Sequence, residues 1–106
     1  GRGTRARNSM TNHLVTLGLQ IIPKSDNHET YWLVDQAIKV IQQSGLKYMI
    51  TPFETVLEGT YEQTMEVANA AQLAVLKAGA EECLVYFRIH YRKDRDVTFE
   101  EKRLDR

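Results

Sequence analysis

The chain has little of what many protein classes require. It carries one cysteine, Cys83, so no internal disulfide can form, and thiol chemistry has no partner thiol. Lys plus Arg and Asp plus Glu are equal at 14 each, so no global basic field draws in nucleic acid or anionic lipid. No apolar run approaches the ~20 residues that span a bilayer. Residues 1–9 are polar with three arginines and lack the apolar stretch of a secretory signal. They read as an appended leader or flexible basic arm before a natural start at Met10. These absences point to a single domain over 10–106 in a reducing, cytoplasmic setting. Hydrophobic residues, 42% of the 106, suffice for one modest core that self-association would help to complete.

What is present is periodic. From His13 to Ile22, Val15, Leu17, Leu19 and Ile21 alternate with Leu14, Thr16, Gly18, Gln20 and Ile22, the period of a strand that Pro23 is expected to end. Asp26 with Glu29 has capping-box spacing, and Val34, Ala37, Ile38 and Ile41 then recur as on a helix that stops at Ser44-Gly45. Leu46–Thr51 and Thr55–Glu58 read as two short strands around a Pro-Phe-Glu bend. Thr60 with Gln63 opens a second helix, marked by Met65, Ala68, Ala71, Gln72, Val75 and Leu76 and closed by Gly79. Cys83–Tyr91 is the last strand, and Thr98–Leu104 a short terminal helix.

This order, βαββαβ, predicts an α+β ferredoxin-like fold: a four-stranded antiparallel sheet with both helices on one face. The first and last strands, the longest and most apolar, are expected as the central pair. Val15, Leu17, Leu19, Ile21, Val85, Phe87 and Ile89 would form the core. The other face would carry Leu14, Thr16, Gln20, Ile22, Tyr86, Arg88 and His90. Such a mixed face suits a second subunit or a ligand better than bulk water.

No catalytic set assembles. Cys83 opens an apolar strand and reads as a small buried hydrophobe. His13, His28 and His90 lie in separate elements without metal-ligand spacing, and no glycine-rich phosphate loop occurs. Glu54 and Glu58 flank the hairpin bend, either as solvated carboxylates or as an attraction for a cationic ligand. Tyr31 and Trp32 open the first helix; Trp32 either caps the core or offers a ring face to a heterocycle or cation. Arg88 beside His90 could bind an anion or sit at an interface. The aromatic-basic signature of RNA-binding sheets is missing.

Three stretches in order carry a resemblance: Ala37-Ile38-Lys39-Val40-Ile41 leading to Ser44-Gly45-Leu46; Thr51-Pro52-Phe53-Glu54-Thr55-Val56-Leu57-Glu58-Gly59; and Arg88-Ile89-His90-Tyr91-Arg92-Lys93-Asp94. From Met10 onward the chain resembles the YkoF-like thiamine-binding family. The resemblance implies sheet-paired homodimers or homotetramers that capture thiamine or its hydroxymethylpyrimidine part without catalysis or resident cofactor. On the positions matched, it offers Thr51, Thr55 and Glu58 on the hairpin, with Gln20 and Arg88 on shared strands; Trp32 joins them as an aromatic wall. His90 stands where relatives often have aspartate, and Glu54 where many have glycine. A structural or regulatory interaction module remains the alternative. An acylphosphatase-like hydrolase would need an arginine in the loop after the first strand, and that loop has none.

Overall fold

The computed structural model describes residues 13–102. The expected leader over 1–9 and the expected start at Met10 lie outside the described residues, as does Leu104. The elements run β1 (Leu14–Lys24), α1 (Thr30–Gln43), β2 (Lys47–Ile50), β3 (Thr55–Thr60), α2 (Tyr61–Lys77) and β4 (Glu82–His90), then a single 3₁₀ turn, Glu100–Lys102. All strand pairings are antiparallel, in the order β2-β3-β1-β4. The ferredoxin-like fold is therefore present.

The expected central pair is corrected: β1 and β3 are central, and β4 is an edge. In each βαβ unit the crossover skips one place, which the other unit's strand fills. The length and apolarity of β4 reflect its nine-residue pairing with β1, Thr16↔His90 to Lys24↔Glu82, and not central placement. For the same reason Phe87, expected in the core, shares a face with Leu19 but stays 42% exposed at the sheet's margin. Val85 and Ile89 pack against the core while only partly buried. Pro23 does not end β1. Among the described residues, β1 beyond Leu19 pairs with β4 alone, and a proline is tolerated in a segment paired on one side.

The core joins Leu17, Leu19 and Leu57 of the sheet to Leu33, Ala37 and Ile41 of α1 and Ala68, Ala71 and Val75 of α2. The small residues on α2 let it lie close to the strands. Asp26 does not cap α1. The N-cap is Glu29, without a side-chain bond, and the preceding turn is held by Ser25 Oγ, which accepts from Asn27 N at 3.1 Å and His28 N at 3.2 Å. Gly45 follows the helix at φ 84°, the left-handed position only glycine takes freely. The Thr60–Gln63 capping box forms as read: Thr60 Oγ1 accepts from Gln63 N, and Thr60 N donates to Gln63 Oε1 at 3.0 Å. Thr60→Ala should lower stability by about 1 kcal/mol in urea unfolding, with an unchanged slope.

The C-terminal segment crosses the sheet face away from the helices. Val97 N donates to Leu14 O at 2.9 Å, Leu14 N to Asp96 Oδ1 at 2.7 Å, and Phe99 N to Glu58 Oε1 at 2.7 Å. Val97 and Phe99, both in this strap, are buried. Arg92 clasps it with two parallel bonds to Glu101, Nη1 to Oε1 at 3.0 Å and Nη2 to Oε2 at 2.6 Å. The Arg92 bonds, with the Thr98 N–H, hold the Glu101 carboxyl down at about 2. That is below the ~4.3 of an unfolded glutamate, so the clasp is complete above that pH and is lost as pH falls toward the folded value. Glu101→Gln should therefore be less stable than wild type at pH 6, with the difference shrinking as pH falls toward 2, by chemical denaturation at each pH.

Candidate functional site

The strap divides the open face. At one end it covers Thr16, whose hydroxyl donates to Val97 O at 3.4 Å, and Glu58, whose side chain is 10% exposed and lies 3.9 Å from Lys47 Nζ. The remainder is open. Register places Val56, Gly18 and Arg88 in one row across β3, β1 and β4, with Gln20 and Tyr86 in the next. Side chains of opposed residues project to the same face.

Glu54, in the β2–β3 turn, lies across this row. Arg88 Nη2 donates to both carboxylate oxygens, each at 2.9 Å. The carboxylate rests directly on Gly18: a Cβ there would stand 2.6 Å from Glu54 Oε1 and 2.9 Å from its Cδ. A glycine in mid-strand is thus the seat on which an acidic group lies flat against the sheet. Two shallow depressions meet at this pair. One, of about 420 Å³, is lined by Gln20, Phe53, Glu54, Tyr86 and Arg88 among others. The other, of about 390 Å³, runs past Gly18 and Val56 to His90 and Lys102. Phe53 and Tyr86 are 71% and 56% exposed, leaving two ring faces open beside a carboxylate.

The turn that presents Glu54 is fastened by Thr51. Its hydroxyl donates to Glu54 O at 2.6 Å and accepts from Glu54 N at 2.9 Å and Phe53 N at 3.2 Å. Of the residues singled out in sequence, Gln20 and Arg88 come together at the depression. Thr51 shapes its rim, and Glu58 shares the face but anchors the strap. Thr55 opposes Leu19 on the helix side and borders an apolar gap of about 30 Å³. Trp32, on α1, stacks on His28 at 5.2 Å between ring centroids, away from the open face. The Glu54 seat escaped the reading because it depends on a glycine distant in sequence. Cys83 faces the helix side opposite Pro23, and burial pushes its thiol up, which suits packing and not nucleophilic attack.

The family model described as thiamine-binding protein matches residues 17–105. The chain belongs to the thiamine-binding protein family. A UPF0045 protein of Clostridium perfringens is 31% identical to this family member over 86 residues, 81% of this chain and 90% of its own. Among solved structures, a domain of unknown function (DUF77) from Bacillus cereus is similar with a TM-score of 0.84 and 39% identity, over 88% of this chain and 89% of that one. A protein from Thermotoga maritima, provisionally assigned to thiamine biosynthesis or salvage, is similar with a TM-score of 0.75 and 26% identity, over 84% and 94% of the two chains. The residues matched by the family model take in both helices and the hairpin that carries Glu54 in this thiamine-binding family member. A small-ligand role connected with thiamine follows at that level. Among the described residues no helix is long and apolar enough to cross a membrane.

Proposed function

We propose that this protein binds thiamine, or its hydroxymethylpyrimidine part, on the open sheet face, and releases it unchanged. The observation that carries this reading is the Glu54 carboxylate, seated on Gly18 and flanked by the exposed rings of Phe53 and Tyr86. Thiamine combines a thiazolium cation with a flat aminopyrimidine. A carboxylate attracts the first, and an aromatic wall with amide and guanidinium donors from Gln20 and Arg88 suits the second. Among the described residues no nucleophile–base pair lines this depression, and binding without chemistry is the economical reading.

The protein works as a homodimer or homotetramer in the cytoplasm. Ile22, Leu84 and Tyr86 leave apolar surface beside β4, the edge strand among the described residues, and a second copy would cover it and deepen the shallow depression. Calorimetric titration with thiamine and with hydroxymethylpyrimidine, alongside sedimentation velocity, tests both parts. Saturable heat from an oligomer is the expected result. No heat at millimolar ligand removes the binding reading, and a monomer removes the assembly.

A further inference from the structure

The second depression has a chemistry that a cationic ring does not use. Arg88 and His90 project from alternate positions of β4 onto the open face, and Lys102 reaches the same place from the strap. Lys102 Nζ lies 2.6 Å from His90 Nδ1. Lys102 also acts electrostatically on the neighbouring Glu101, whose carboxylate is already bonded to Arg92. Among the described residues, the carboxylate lining this space is Glu54, already bonded to Arg88. Three nitrogen-bearing side chains therefore border one depression of about 390 Å³, and it joins the aromatic depression at the Glu54–Arg88 pair.

We propose that the Arg88–His90–Lys102 cluster is an anion subsite, and that the preferred ligand is a phosphate monoester of the heterocyclic alcohol. This rests on the ligand reading above and refines it. A phosphate group near neutral pH carries close to two negative charges and three acceptor oxygens. Inserted between Lys102 and His90, it accepts from both and from the Arg88 guanidinium nitrogens that Glu54 leaves unused. The ring then lies along Tyr86 and Phe53, and Glu54 separates cationic ring from anionic tail. The strap takes a direct part, since Lys102 is delivered by the turn that Phe99 anchors.

The test is calorimetric titration of the full chain with thiamine, thiamine monophosphate, hydroxymethylpyrimidine, its phosphate and inorganic phosphate. Each phosphate ester should bind about tenfold or more tightly than its alcohol, the gain expected of charge-assisted hydrogen bonds. Inorganic phosphate should compete with the ester. In Lys102→Met and in His90→Asp, both exposed positions, the ester-to-alcohol ratio should fall to near unity. Equal affinity for ester and alcohol in the wild type, or a ratio untouched by both variants, overturns the subsite and leaves the ligand reading standing. Absence of binding by every probe overturns both.

Discussion

Gly18→Ala should fold normally and lose about tenfold or more in affinity for thiamine, the scale of one charged interaction removed. The new methyl group would meet the Glu54 carboxylate at 2.6 Å, closer than any real contact. That carboxylate ends a flexible side chain, so it moves aside at little cost to the fold. Its displacement breaks the two bonds from Arg88 and lifts the negative charge off the sheet. Gly18 lies in the middle of β1 at an ordinary backbone conformation, so alanine introduces no strain there. The substitution thus separates seat from scaffold, which Arg88→Ala would not do as cleanly because it also removes a ligand contact. Thermal unfolding near wild type with weakened binding is the expected pair of results. Unchanged affinity would show that the Glu54 seat is not where the ligand lies.

Phe99→Ala should be the more damaging change to stability. Phe99 is buried on a sheet face that would otherwise meet water, and Lys47 Nζ stands 5.4 Å from its ring centroid. Truncating a buried phenylalanine costs about 3 kcal/mol or more. For a domain this size that lowers the melting temperature by roughly 15 °C. The loss also frees the strap, so Glu58 loses the Phe99 N–H that its Oε1 accepts. A calorimetric melt is the check. A fall of only a few degrees would mean the strap rests on the face without stabilising it.

The alternation of β1, the Thr60–Gln63 box and the glycine stops were legible because each is a local rule acting within a few residues. The helix-face core was legible wherever a strand is central, as at Leu17 and Leu19. It failed at Phe87, because edge placement is decided by which strands fill the gaps left by two crossovers, and the period of one strand carries no trace of that. The strap was illegible for a related reason. Val97 and Phe99 are two apolar residues in a charged stretch, without a period long enough to read, and their burial depends on acceptors at Leu14 and Glu58 far back in the chain. Gln20 and Arg88 were legible as members of the mixed face. Their grouping with Glu54 was not, since it needed the β1–β4 register and the absence of a side chain at Gly18. Thr55 and Trp32 carry suitable chemistry but project on the helix side, an orientation that residue type alone leaves open.

The most direct measurement is a thiamine titration followed by backbone and side-chain NMR shifts. Ligand on the open sheet face predicts saturable changes centred on Gly18, Gln20, Glu54, Tyr86 and Arg88, with the Trp32 indole unmoved. Changes centred on Trp32 and Thr55, with the Gly18 row silent, would contradict it.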